Sequence, residues 1–392
     1  MIKNNITVGI DIGTHTTRIV AIGYDKESGE PTTLAVGSSE TEGMRFGYIT
    51  NIDQVALSIK KAVKQVENTL GRKIHSAYVS FSGINLSSIV STGSVIISRA
   101  DQEITHLDIA KALASSEEGL DILNKKIIHT IPVGYKLDGK DIHGRPEGMK
   151  GIKLETKTLF ITCLKQNLED IITALGLAKI DVIDIIASPI ASSTILLNNK
   201  QKVAGCALVD IGAETVSVSC FENNSIISLQ VFPIGSMDIT KDIALGFKIS
   251  LEEAESIKLG SVIGGDYPKK KVDEIIEARL GDIFELVENH LKRLRRNELL
   301  PAGIIITGGG SHINGIESIA KNQLKLPART GPVDSTTYAK LKIRDSSWHT
   351  VYGLVLYGGD DNESNNGEKS NLSGNIKQIK AFFKSIFSQL LP

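Results

Sequence analysis

The 392-residue chain is poor in the features that mark several large protein classes. It has only three cysteines, Cys163, Cys206 and Cys220, with no CxxC spacing and each in an apolar alternating stretch. That argues against a disulfide framework or a cysteine-bound zinc and places the three thiols in a core. The eight histidines show no HxxxH-type pairing. No GxxxxGKS/T motif occurs, which excludes a P-loop nucleotide hydrolase. Neither sign of charge is in excess: the formal net charge is −1, against the basic surplus that bulk phosphate neutralisation needs. No apolar run approaches the length of a bilayer span. The opening MIKNNITVGID moves straight into a strand pattern, without the apolar core of an export signal. These absences predict a cytoplasmic protein that binds no nucleic acid.

What remains is ordinary globular material, 41% hydrophobic and 23% charged, long enough for two or more domains. ITVGIDI (6–12) and TRIVAIG (17–23) read as strands joined by a tight polar turn. A helix is predicted over about 51–70, with Asn51 as N-cap and Ile52, Val55, Ile59, Val63, Val66 and Leu70 at three- and four-residue steps. The strand AYVSFSG ends at Gly83, and residues 84–162 read as a separate unit of strands around a helix. At residue 203 the opening pattern starts again. VAGCALVDIGAETVSVSCFENN repeats the form of NITVGIDIGTHTTRIVAIGYDK, which implies an internal duplication. Residues 243–301 are mostly helical, and GIIITGGGSHINGI reads as a buried strand, a glycine turn and a helix start. A further helix is expected over 347–358, then a polar linker to residue 374.

The two repeated turns carry chemistry. In DIGTHT a buried strand ends at Asp11, and Gly13 and Thr14 can aim backbone N–H groups and hydroxyls at an anion. Asp11 would repel phosphate directly, yet it can hold the water shell of a phosphate-bound Mg²⁺. Alone, a hairpin with a turn glycine and a capping aspartate is the better account. The second copy, Asp210-Ile211-Gly212-Ala213-Glu214-Thr215, makes a two-sided polyphosphate clamp the better account. ITGGGSH adds three glycines after an apolar strand, which permits close backbone approach to a flat ligand.

The chain closes on NIKQIKAFFKSIFSQLLP. Ile376, Ile379, Phe382, Phe383, Ile386, Phe387 and Leu390 would share one helical face, bordered by Lys377, Lys380 and Lys384. A terminal helix docked on its own core is the ordinary reading, but the polar linker argues against it. The segment is too short to span a bilayer and suits one lying in the interface. Each buried CH₂ would contribute about 0.8 kcal/mol and each lysine near anionic lipid about 1 kcal/mol, so binding is modest until multiplied by avidity.

These motifs, in this order, resemble the actin, sugar-kinase and seventy-kilodalton chaperone superfamily, over nearly the whole chain. GYITNIDQVALSIKKAVKQVE, YVSFSG, PEGMKGIKLE, FPIGSMDITKDIALGFKISLEEAESIKLG and WHTVYGLVLYG narrow the resemblance to the bacterial cell-division family FtsA. It implies an α/β, actin-like fold of two duplicated ribonuclease-H-like lobes around a nucleotide cleft. The first lobe would take 1–83 and 163–202, with a family-specific insert at 84–162. The second would take 203–242 and 302–346, with a helical subdomain at 243–301. A closing helix (347–358), a linker (359–374) and an amphipathic membrane helix (375–392) would complete the chain.

Carried over by position, the resemblance implies that Gly13, Thr14, His15, Thr16 and Arg18 form the first phosphate loop. Gly212, Ala213, Glu214 and Thr215 would form the second, with Asp11 and Asp210 holding Mg²⁺ through water. Gly308, Gly309 and Gly310 would face the adenosine of ATP or ADP. Glu255 and Lys258 match the ribose- or adenine-holding pair, although by spacing alone they are a solvated i,i+3 pair. Ser188 stands where relatives carry a water-activating Glu or Gln, and a serine is a poor general base. Weak or negligible hydrolysis is therefore expected.

The family also implies a filament on the inner membrane face that tethers the tubulin-like FtsZ and recruits other division proteins to the division site. Lys292, Arg293, Arg295 and Arg296 in HLKRLRRN could take the acidic FtsZ tail, or be a solvated helix end. The alternatives are a pilus-assembly type scaffold and, less well supported, a phosphotransferase of the same superfold.

Overall fold

The computed structural model describes residues 2–25, 29–260, 267–331, 338, 340–343 and 345–364. The tail read as an amphipathic helix, 375–392, lies outside them.

The first half opens with a hairpin of β1 (Ile2–Ile12) and β2 (Thr16–Asp25), extended by β3 (Pro31–Glu40). A two-residue-strand hairpin, β4 (Met44–Arg45) and β5 (Tyr48–Ile49), leads into α1 (Ile52–Leu70). The Asn51 side chain accepts from the Gln54 N–H, and Gly71 ends the helix in the left-handed region at φ 67°. Val55, Ile59, Val63 and Val66 are buried, as their spacing requires. Then β6 (Ser76–Phe81) pairs in parallel with β1.

Next comes an antiparallel unit: β7 (Ser87–Ile96), α2 (His106–Glu118), β8 (Lys125–Leu137), β9 (Lys140–Ile142) and β10 (Lys153–Leu164). Its small core contains Ile97, Ile104, Ala112 and Leu154. Gly93 lets α2 lie close, since a Cβ there would fall 2.2 Å from the Ala112 carbonyl. The chain returns through α3 (Lys165–Leu177), β11 (Asp181–Ala187), α4 (Ser188–Leu196) and α5 (Asn199–Ala204).

The second half repeats the plan with β12 (Cys206–Ile211), β13 (Val216–Glu222) and β14 (Ser225–Phe232). Helices α6 (Ser236–Phe247), α7 (Leu251–Lys258) and α8 (Lys269–Arg293) come next. The half ends with β15 (Ile304–Thr307), α9 (Ile316–Leu324) and β16 (Ala328–Thr330). Among the described residues the first sheet runs β11-β6-β1-β2-β3 and the second begins β16-β15-β12-β13-β14. The two orders are the same, with the outer strands parallel and the hairpin antiparallel in both. The duplication read from the repeated turns is thus a duplication of whole sheets. Past β14 the second sheet continues into the inserted unit as β7-β10-β8-β9, through the Gln230–Ser87 pairing and a bond from the Leu229 N–H to Ser88 Oγ at 2.8 Å.

The last element, α10 (His349–Ser364), runs beyond residue 358 into the stretch read as linker. It packs on the first half through glycines. A Cβ at Gly353 would lie 1.9 Å from the Ala191 carbonyl oxygen of α4, and one at Gly9 of β1 would lie 3.1 Å from the Val351 carbonyl. Buried Val351, Tyr352, Leu354 and Val355 fill the contact. With α1 on the opposite face, β1 is covered on both sides, which explains its near-continuous apolar run.

Gly353→Ala should therefore force α10 away from α4 and destabilise the protein by roughly 1–3 kcal/mol. A lowered urea midpoint with an unchanged slope would register it, and an unchanged midpoint would contradict the packing described.

Candidate functional site

The two hairpin turns match position by position. Gly13 N–H donates to the Thr16 carbonyl at 3.2 Å, and Gly212 N–H donates to the Thr215 carbonyl at 2.9 Å. Asp11 sits opposite Arg18 in the first ladder, and Asp210 sits opposite Ser217 in the second. The sheets bring these two aspartates near enough that the charge of Asp11 acts on Asp210. Burial pushes the Asp11 carboxyl up, opposed by a 2.5 Å bond from Ser80 Oγ and by the charge of Arg18. Burial also pushes Asp210 up to about 7, the charge of Asp11 pushes in the same direction, and Arg18 opposes both. Arg18 lies with its guanidinium 5.8 Å from the Trp348 ring centroid. Its charge acts on both Asp11 and Asp210.

Two carboxylates with raised proton affinity form a site that wants a cation. No cluster of three or more His, Cys, Asp or Glu side chains able to hold a metal occurs among the described residues. Two carboxylates alone could hold a Mg²⁺ only through the waters it keeps.

Gly308 follows β15 at φ 84°, and a Cβ there would fall 2.2 Å from Asp210 Oδ1. Gly310 is packed against Ile211 in the same way, while Gly309 is exposed and its missing side chain faces open space. The turn is fixed from behind by Ser346 Oγ, which donates to the Gly308 carbonyl at 2.9 Å, and by a 2.6 Å bond between Thr307 Oγ1 and His349 Nδ1.

The start of α6 rests on the second turn: Ser236 N–H donates to the Gly212 carbonyl at 2.9 Å and Met237 N–H to Ala213 at 2.8 Å. One helix on, Lys258 Nζ lies 2.7 Å from Glu255 Oε2, 2.9 Å from Thr240 Oγ1 and 3.2 Å from the Ser236 carbonyl. Lys258 is 5% exposed and Glu255 38%. The solvated reading of this pair is thus replaced by a buried lysine tying α7 to the base of α6, with the carboxylate left accessible.

Glu214 turns out of the loop. Its Oε2 accepts the Phe46 N–H at 2.8 Å and its Oε1 pairs with Arg45 Nε at 2.9 Å. The neighbouring Gly47 N–H donates to Thr14 Oγ1 at 3.2 Å. The β4–β5 hairpin therefore touches both turns, a connection that the sequence reading missed. His15 is exposed at the first turn. Ser188, the first residue of α4, is buried, and the first turn of that helix carries no acidic residue.

The four basic residues at the end of α8 do not form one patch. Lys292 and Arg293 lie in its last turn, whereas Arg295 and Arg296 come after its end. Lys292 pairs with Glu288 and Arg296 with Glu222, each at 2.8 Å. Elsewhere on the helical part a groove of about 440 Å³ is lined by Lys241, Ala244, Leu245, Lys248, Ile249 and Leu251. Its Leu245 is 77% exposed. No helix among the described residues is long and apolar enough to cross a membrane.

Residues 207–353 match the family model of cell division protein FtsA, and residues 83–162 match that of the SHS2 domain inserted in FtsA. The chain is 30% identical over 381 residues to the cell division protein FtsA of Pseudomonas aeruginosa, covering 91% of this chain and 90% of that protein. The Bacillus subtilis FtsA is also 30% identical, across 91% of this chain and 84% of its own. Among solved structures, the PilM–PilN type IV pilus biogenesis complex aligns with a TM-score of 0.65 at 17% identity, covering 90% of this chain and 98% of that one. Spiroplasma citri MreB5 bound to ADP aligns with a TM-score of 0.53 at 10% identity, over 93% and 99%. The architecture is the actin-like one.

Without Mg²⁺, Asp210 is ionised in the unfolded chain from about pH 4 upward but in the folded chain only above about pH 7. Folding takes up a proton in that window, so the group makes stability fall as pH rises through it. Asp210→Asn should raise the melting temperature of the metal-free protein, with a gain that grows between about pH 5 and about pH 8. A gain independent of pH would contradict the assignment.

Proposed function

The chain belongs to the FtsA family of bacterial cell-division proteins, and we propose that it binds an adenine nucleotide with Mg²⁺ between its paired turns. The observation that carries this reading is the pair of matched turns, each with a glycine N–H bonded three residues on and each following an aspartate, Asp11 or Asp210, that feels the other turn's charge or its Arg18. In the proposal, backbone N–H groups of Thr14 to Thr16 and Ala213 to Thr215 donate to phosphate oxygens, while the Gly13 and Gly212 N–H groups hold the turns themselves, and Asp11 and Asp210 hold metal-bound water. Gly309 borders the nucleoside, and Glu255, fixed by Thr240 and Lys258, accepts from its hydroxyl or amino groups. When bound, Mg²⁺ would neutralise the phosphates and the two carboxylates together. Turnover would be weak, because Ser188 at the start of α4 supplies no base.

The protein would polymerise on the cytoplasmic face of the membrane, with the lysine-bordered apolar tail (Ile376 to Leu390) lying in anionic lipid. Through its helical part it would hold the tail of FtsZ and so gather other division proteins. The groove beside Lys241 and Lys248 joins basic groups to the exposed apolar side chain of Leu245, which suits an acidic peptide with apolar side chains. A pilus-assembly scaffold shares the fold, but the FtsA relatives share the sequence.

Co-sedimentation with anionic liposomes in the presence of ATP tests the tether. The full chain should pellet and one ending at Gly374 should stay in solution. Equal pelleting of the two would remove the membrane role.

A further inference from the structure

The β4–β5 hairpin joins the halves of the cleft at its phosphate end. Phe46 and Gly47, both left-handed at φ 50° and 80°, form its tip. That tip is seated against Gly83, because a Cβ on Gly47 would come within 2.4 Å of Gly83 Cα. Its three donors are Arg45 Nε and the N–H groups of Phe46 and Gly47. They reach Glu214 of the second turn and Thr14 of the first. Glu214 is 13% exposed at the side chain, whereas Arg45 is 58% exposed. The carboxylate is thus held in place and the guanidinium keeps freedom to move.

A carboxylate within a phosphate turn opposes an incoming phosphate by charge, and more strongly where solvent is thin. Here that charge is answered by donors that themselves suit a phosphate, an arginine fork beside two backbone N–H groups. A terminal phosphate between the turns would meet Glu214 as a competitor for Arg45. A diphosphate, one phosphate shorter, would leave the ion pair as it stands.

We propose that Arg45 and Glu214 form a terminal-phosphate sensor: Arg45 leaves Glu214 for the last phosphate of a nucleoside triphosphate and so sets the preference for triphosphate over diphosphate. This rests on the nucleotide reading above. Glu214→Gln keeps an acceptor for the Phe46 N–H but removes the competing charge. Arg45→Ala removes the sensing group, and Arg45→Lys keeps its charge without its fork.

Dissociation constants of Mg-ATP and Mg-ADP, measured on the full chain by displacement of a fluorescent ADP analogue, test it. Glu214→Gln should tighten ATP by roughly tenfold more than it changes ADP. Arg45→Ala should weaken ATP by a similar factor, with Arg45→Lys intermediate. If both pairs of constants shift by one common factor, the ion pair is a staple between the halves and the sensor is overturned. If the parent protein binds neither nucleotide, the nucleotide reading itself fails.

Discussion

A buried carboxylate close to a second negative charge is costly to ionise, and the architecture around Asp11 and Asp210 is arranged by that constraint. Duplication places an aspartate at the end of the same strand in each sheet, so closing the halves together brings like charges together. Arg18 supplies part of the answer from the strand opposite Asp11, held over the Trp348 ring. Ser80 supplies another part by donating to Asp11. The remainder is what a hydrated divalent cation with bound phosphate would bring. The same requirement explains why Gly308 must lack a side chain, since the space beside Asp210 Oδ1 is closed by its backbone.

Much of this is legible in the sequence because it is local. Helix α1 announces itself by periodicity and by its Asn51 cap, and the repeated Asp-Ile-Gly turns announce the duplicated hairpins. Spacing says less about location. An i,i+3 pair such as Glu255 and Lys258 is known to meet, but only the packing of α7 on α6 decides that Lys258 is buried. Glycines after a strand announce a close approach without naming what approaches. At Gly308 and Gly310 it is the chain's own second turn, while an added side chain at Gly309 would meet open space. In the same way, HLKRLRRN reads as one basic patch, yet the helix ends at Arg293 and splits it.

The Arg45–Glu214 contact lies beyond such reading altogether. It joins positions far apart in the chain, through a hairpin whose strands are two residues each and carry no period. Glu214 itself looks like a misplaced charge in a phosphate turn until its partner is known. A local conflict that persists in a fold is a place to look for a long-range compensation, and here the compensating group comes from the other half of the molecule.

One helix links the remaining parts. The body of α10 is wedged into the first half, against α4 and β1, by glycines that allow backbone contact. Its first residue, His349, is bonded to Thr307, the last residue of β15 before the glycine turn of the second half. The segment just before it, Ser346, holds the Gly308 carbonyl. The element that leads toward the tail is therefore pinned at one end to the wall of the cleft and along its length to the opposite lobe. Any change in the angle between the halves must either carry α10 with the first lobe and strain the Thr307–His349 bond, or leave that bond intact and shear the glycine contacts. Packed backbone contacts at such distances do not yield gradually.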